Sequence, residues 1–302
     1  MMDLLTRSDF DGLACAVILR DIGMIGNWRF VHPKDLQDGN VRVTSNDILA
    51  NVPYVAGCGM WFDHHTSEWE RIGKPEGFVG SLRKLDSAAR VIYEYYKDRY
   101  DLSKFDIMLD QVDKVDSGKL TADDVLNPKG WVLLGFLTDP RTGLGRFREF
   151  RISNYSLMED LIESCRVMPI EEILELPDVK ERVELFNEQS ELFKAMLKKH
   201  TEVKGNVIKT DLRGVETINA GNRFLIYSLF PNQNISMWIV DGRNKENVSI
   251  ACGYSILNRT ATVDVGSVLL RYNGGGHKQV GTCQVPYDDA DTVISELMEK
   301  LQ

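Results

Sequence analysis

Apolar and polar positions change rhythm several times along the chain. Met2–Thr6 is a short apolar run that stops at Arg7-Ser8-Asp9-Phe10-Asp11-Gly12. Leu13, Ala16, Val17, Leu19 and Ile22 then recur at helical spacing up to Gly23, so strand, acidic turn and helix follow one another. An α/β sheet opens in this way, and ligands of such sheets gather beyond the carboxyl ends of the strands. Apolar runs at Trp28–Val31, Val41–Thr44, Val52–Val55 and Gly59–Phe62 predict further strands, the last leading straight into Asp63-His64-His65. Helical periodicity predicts helices over Ser87–Tyr100, Lys104–Val115, Ser156–Arg166 and Ile170–Leu176. Val179–Lys199 is long, charged and poor in apolar residues. It predicts a helical connector over 179–201, between a first domain (1–178) and a second (202–302). Beyond Glu202 short β-rich runs take over: Val203–Thr210, Val215–Ile218, Ile235–Val240, Val248–Ser255 and Val280–Val285. An apolar helix is predicted over Val265–Tyr272 and a closing helix over Ala290–Leu301. The pattern as a whole predicts an α/β domain followed by a smaller α+β domain.

Composition narrows the function classes. A length of 302 residues suits two domains, and 43% hydrophobic with 27% charged residues excludes collagen-like and wholly disordered chains. No apolar run approaches the roughly 18 residues that cross a bilayer, and the amino terminus lacks the pattern of a signal peptide. Five scattered cysteines, never spaced as CxxC, predict reduced thiols in a cytoplasmic protein. The first 200 residues carry 26 Lys and Arg against 34 Asp and Glu, and the remainder 10 against 11, which together make the net charge of −9. A chain this acidic presents no broad basic face to duplex nucleic acid. An anionic substrate is admissible only where metal ions or a local group of bases reverse the field. The absence of GxxxxGK[ST], and of GxGxxG after a strand, argues against a P-loop enzyme or a dinucleotide-binding oxidoreductase.

Four acidic sites and one glycine run carry the candidate chemistry. Asp63-His64-His65 ends an apolar strand, where unpaired charge is costly to bury; alone it reads as a surface loop, beside a cleft as ligands. Asp9 and Asp11 flank Phe10 and suit a hard divalent cation, or else a solvated turn that caps the helix. Asp47, taken alone, reads as the N-cap of a short helix Ile48–Asn51. Asp113 and Asp116 close a helix at its negative end, where a compensating cation is expected. Asn273-Gly274-Gly275-Gly276-His277-Lys278 joins an apolar helix to a strand. It predicts a backbone nest for an anion, with His277 and Lys278 as further donors; a flexible linker is the alternative. Arg141, Arg146 and Arg148 form a basic loop, read either as a recruiting surface or as a solvated turn.

Taken in order, Ser8–Gly12, Asp47, Phe62–His65, Val115–Gly118 and Gly274–His277 resemble the DHH/DHHA1 phosphoesterase family, in its exopolyphosphatase-related or oligoribonuclease-like branch. The resemblance spans nearly the whole chain. It implies a larger DHH domain, with a mainly parallel sheet flanked by helices, and a smaller α+β DHHA1 domain that binds substrate. It implies two divalent cations, manganese or magnesium. Asp47 would bridge them, Asp11, His64 and Asp116 would complete one site, and Asp9 would belong to the other. Asp113 is the alternative should the fourth motif lie one helical turn earlier. His65 would face the scissile phosphate and Asp63 would orient the ligands. Arg259, Gly274, Gly275, Gly276, His277 and Lys278 would hold the rest of the substrate. The family's histidine before the first aspartate is missing, Arg7 standing nearest, so the first metal site is expected to be weak. The implied activity is metal-dependent hydrolysis of linear dinucleotides or short oligoribonucleotides, including the turnover of cyclic-dinucleotide products. Polyphosphate or pyrophosphate hydrolysis, or a nucleotide-binding regulator, are the alternatives.

Overall fold

A computed structural model describes residues 1–65, 73 and 77–302. The chain divides into two compact units, Met1–Lys119 with Pro128–Leu185, and Leu120–Asn127 with Phe186–Gln302. The division falls inside the 24-residue helix Pro177–His200.

In the first unit five parallel strands, β1 (Met2–Thr6), β2 (Ile25–Phe30), β3 (Asp47–Ala50), β4 (Met60–Asp63) and β5 (Gly80–Leu82), lie in the order β2-β1-β3-β4-β5. The order reverses between β1 and β3, so their carboxyl ends frame the place where such sheets bind ligands. The helix Phe10–Asp21 follows β1, and its residues Phe10 to Leu19 are all buried. It packs against the helices Ala88–Tyr96, Asp106–Asp116 and Asn154–Val167. A helix enclosed on every side has no polar stripe to retain. Gly12 is required where the chain turns into it, because a Cβ there would lie 1.9 Å from the Arg7 carbonyl oxygen.

Two strands predicted in this unit are not strands, and one predicted cap is a strand. Val41–Thr44 and Val52–Val55 are irregular, while Asp47–Ala50 between them is fully buried and paired with both neighbours. A central parallel strand covered on both faces shows no alternation, so Ile48, Leu49 and Ala50 resemble one turn of a helix in sequence. Val41, Val43 and Val52 instead pack from loops against Leu5, Leu49 and Trp61.

The second unit holds a mixed sheet in the order β10-β11-β9-β8-β7-β6. Its strands are β6 (Thr201–Lys204), β7 (Val207–Asp211), β8 (Ile235–Asp241), β9 (Asn247–Tyr254), β10 (Gly275–His277) and β11 (Val280–Pro286). Only β7 and β8 run parallel. The single run predicted over Val203–Thr210 is a hairpin bent at Gly205-Asn206, and Val215–Ile218 is irregular. Ile235, Met237, Ile239, Val248, Ile250 and Cys252 form the core with Leu269 and Leu297. All five cysteines are free thiols. Among the described residues no helix is long and apolar enough to cross a membrane.

Candidate metal centre

The carboxyl ends of β1 and β4, with the end of the helix Asp106–Asp116, bring Asp11, His64 and Asp116 together, each offering a ligand atom within 4.8 Å of the others. Local structure holds every one of them. Asp11 lies in the first turn of its helix, and its two oxygens accept the N–H groups of Ala88 (2.9 Å) and Ala89 (2.8 Å). Those N–H groups open the helix Ala88–Tyr96, whose dipole favours negative charge at that end. His64 Nδ1 stands 3.2 Å from the Leu85 carbonyl. A carbonyl only accepts, so Nδ1 donates there and Nε2 is the ring nitrogen turned toward the carboxylates. That Nε2 is buried without a hydrogen-bond partner, and faces Asp116 Oδ2 at 3.3 Å and Asp11 Oδ2 at 3.7 Å.

Two buried carboxylates around one imidazole nitrogen call for positive charge among them, which a bound cation supplies. Burial, and then the neighbouring charges of Asp116 and Asp9, push Asp11 well above the ordinary carboxylate range, which is the same demand seen from the other side. One imidazole and two carboxylates form a mixed nitrogen and oxygen set that suits a divalent metal such as manganese or magnesium through its hard oxygens. The residues present therefore fit a divalent cation.

Asp63 and His65 complete the strand end. Asp63 Oδ1 accepts the backbone N–H groups of His64 (2.8 Å) and His65 (3.3 Å) and sits 2.8 Å from His65 Nδ1. It fixes the strand end and the His65 ring, as an orienting residue would. Burial lowers the His65 pKa, but the hydrogen bond and charge of Asp63, then Asp116 and Asp11, outweigh it and push the value up to about 9.

Asp113 is separated from this group. Its oxygens accept Ser87 Oγ at 2.5 Å and Arg90 Nε at 2.7 Å, whereas Asp116, three residues on, stands beside His64.

Asp47 is not brought to the cluster, which corrects its expected place as the bridging ligand. It is the first residue of β3, opposite Asp3 of β1, and its Oδ2 accepts the N–H and the hydroxyl of Thr44 at 2.6 and 2.8 Å. Strands rise about 3.3 Å per residue, so Asp47 lies roughly 13 Å along the strand from the end where ligands gather. Asn51 holds that end. It is buried, takes a positive φ of 56°, and donates its amide to Asp9 Oδ1 at 3.0 Å.

Asp9 is thereby engaged on both oxygens. Oδ1 also accepts the Gly12 N–H at 2.9 Å, and Oδ2 pairs with Arg7 Nε at 2.9 Å. Burial pushes the Asp9 pKa up, while the Arg7 charge opposes it. Asp139, which sequence reasoning passed over, caps the turn Pro140–Thr142 and holds Arg141 Nε at 2.8 Å. A cavity of about 20 Å³ is lined by Asp9, Asp11, Asp116, Asp139 and Arg141 among others. Asn51 was marked only by its place after a short apolar run, level with Asp63 at the end of β4.

The candidate substrate residues lie in the second unit. Gly275–His277 is an edge strand paired with β11, turning at Lys278-Gln279. The glycines permit close backbone approach: a Cβ on Gly276 would lie 2.2 Å from the Val280 carbonyl oxygen, and one on Gly274 2.4 Å from that of Thr282. His277 and Lys278 are exposed. Arg259, exposed in the loop after β9, donates from Nε to the Ile256 carbonyl at 2.9 Å. Tyr254 ends β9 beside Gln279, so that loop and the β10–β11 turn share one end of the sheet.

No family model matches the chain, and no curated protein does. Among solved structures it is similar to the pGpG-specific phosphodiesterase PggH from Vibrio cholerae, at 45% identity and a TM-score of 0.85, covering 100% of this chain and 99% of that one. A weaker likeness is to RecJ from Thermus thermophilus in complex with Mn²⁺, at 12% identity and a TM-score of 0.48, covering 99% of this chain and 51% of that one. With nearly half its residues identical to PggH over the full length of both chains, this protein belongs to the DHH/DHHA1 family of phosphoesterases.

Proposed function

We propose that the chain is a divalent-metal-dependent phosphodiesterase of small linear nucleotides, with pGpG as the first substrate to test. The observation that supports metal-dependent chemistry is the buried, unpartnered His64 Nε2 facing Asp11 and Asp116. The substrate class rests on the similarity to PggH.

When bound, a cation of this kind polarises a phosphoryl oxygen and makes water a competent nucleophile at neutral pH. Asp11, His64 and Asp116 would hold it. Asp63 keeps His65 turned so that Nδ1 is engaged and Nε2 is the nitrogen left to meet the phosphate. From there His65 donates to a non-bridging oxygen or protonates the leaving oxygen. Arg259, His277 and Lys278 take the remote phosphate or the base, and the residues 1–178 carry the chemistry.

Purified protein assayed with Mn²⁺ on pGpG, pApA, 3′-phosphoadenosine 5′-phosphate, cyclic dinucleotides and polyphosphate tests the reading. Manganese-dependent cleavage of a linear dinucleotide is expected. Polyphosphate hydrolysis without dinucleotide cleavage would reassign the substrate, and inactivity on every phosphoester would leave a nucleotide-binding role.

A further inference from the structure

We propose that this centre holds a single divalent cation, and that the guanidinium of Arg7 supplies the fixed positive charge which a second cation would otherwise bring. The proposal rests on the metal reading of Asp11, His64 and Asp116 given above, and concerns what stands beside them.

A second cation would need Asp9, and the charge of Asp9 is already met by a guanidinium. Its two oxygens already meet Arg7 Nε, the Gly12 N–H and the Asn51 amide, all between 2.9 and 3.0 Å. A guanidinium has no lone pair to offer a metal and keeps its proton throughout the accessible pH range. Asn51 turns an NH₂ group toward Asp9, since only that end of the amide can face a carboxylate. An NH₂ group repels a cation where a carboxylate would bind one. Asn51 cannot swing aside at will, because its backbone N–H is tied to the Phe62 carbonyl at 3.1 Å and its side chain is buried.

Asp47, the only carboxylate on β3, is at the wrong end of the strand. The Arg7 side chain is 38% exposed. Nε is spent on Asp9, so the rest of the fork stays reachable by a phosphoryl oxygen, which it matches in geometry.

The test counts metal on the full-length protein. After chelation, Mn²⁺ is returned to the native chain, and bound manganese per chain is measured by calorimetry and elemental analysis, with electron paramagnetic resonance to detect coupled pairs. One Mn²⁺ per chain and an uncoupled signal are expected. Two per chain, or a coupled signal, would overturn the proposal and leave the metal reading standing. None would overturn that reading and this proposal with it. Arg7→Met should keep one Mn²⁺ and lower kcat/KM for pGpG by about 10- to 150-fold, the loss of one charge-assisted contact; unchanged kcat/KM would remove Arg7 from substrate binding. The paired change Arg7→Ala with Asn51→Asp should admit a second Mn²⁺, and retention of one with a native melting temperature would count against Arg7 and Asn51 as the excluding groups.

Discussion

Asp9 and Asp11 stand two residues apart, are both buried, and do different work. Asp9 closes the N-terminus of its own helix and is neutralised by a neighbouring arginine and an amide. Asp11, already inside the helix, is held from a distance by the first N–H groups of the helix Ala88–Tyr96 and faces His64 and Asp116. The charge of Asp9 is met by an arginine, and that of Asp11 faces a second carboxylate and an imidazole nitrogen. The lesson is that an acidic pair in sequence does not specify a paired metal site. What decides is which donors the fold brings to each carboxylate.

The sharpest way to break this comparison is to remove a ligand on the unsatisfied side. His64→Ala and Asp116→Ala should each abolish tight Mn²⁺ binding and lower pGpG turnover by about a thousand-fold or more, since metal assistance contributes several kcal/mol to the transition state. Both variants should stay folded by circular dichroism. If Asp113→Ala has this effect and Asp116→Ala does not, the carboxylate of the fourth motif has been misassigned.

The next effect concerns groups outside the cluster. His277→Ala should reduce kcat/KM for a linear dinucleotide by about 10- to 150-fold, equivalent to one charge-assisted hydrogen bond of about 1.5–3 kcal/mol. A small activated aryl phosphodiester should be cleaved as before, because it has no remote group for His277 to hold. Equal losses on both substrates would put His277 in the chemical step.

Smaller effects should appear in stability alone. Asp113→Ala breaks the contacts to Ser87 and Arg90 and leaves a half-buried guanidinium short of its partner. Thermal or urea unfolding should show a loss of about 2 kcal/mol, with Mn²⁺ affinity unchanged. Asp47→Ala removes two hydrogen bonds to Thr44 at the far end of β3 and should cost about 1 kcal/mol. Its turnover should stay within a few-fold of the native enzyme. Loss of turnover by this variant would return Asp47 to the catalytic centre.

Much of the molecule is legible from residue order. The alternation of apolar runs and helical periods marks the α/β opening, Asp63-His64-His65 marks a charged strand end, and the drop in helical periodicity near Glu202 marks a change of architecture. These are local properties: side-chain spacing sets strand or helix, and charge at the end of an apolar run has to face a cleft. The long charged helix is more anchored than its composition indicates. Arg182 within it is buried, with hydrogen bonds to Asn154, the Ile152 carbonyl and the Asp178 carbonyl, and its guanidinium lies over Phe150.

The register of β3 and the partners of each carboxylate belong to the tertiary structure. In sequence Asp47 and Asn51 are four residues apart and either could close a motif. Pairing of Asp3 with Asp47 and of Thr6 with Ala50 sends the aspartate to one end of the strands and the asparagine to the other. Likewise, Asp113 and Asp116 differ by one helical turn. Only the packing of the helix Asp106–Asp116 against Ser87 and Arg90 turns the first away from His64 and the second toward it. Composition and periodicity determine that this chain makes two units and carries acidic and histidine side chains at strand ends. Which oxygen meets a cation, and which meets an arginine, depends on groups far apart in the chain that only packing brings within about 3 or 4 Å, the range over which charge and hydrogen bonding act.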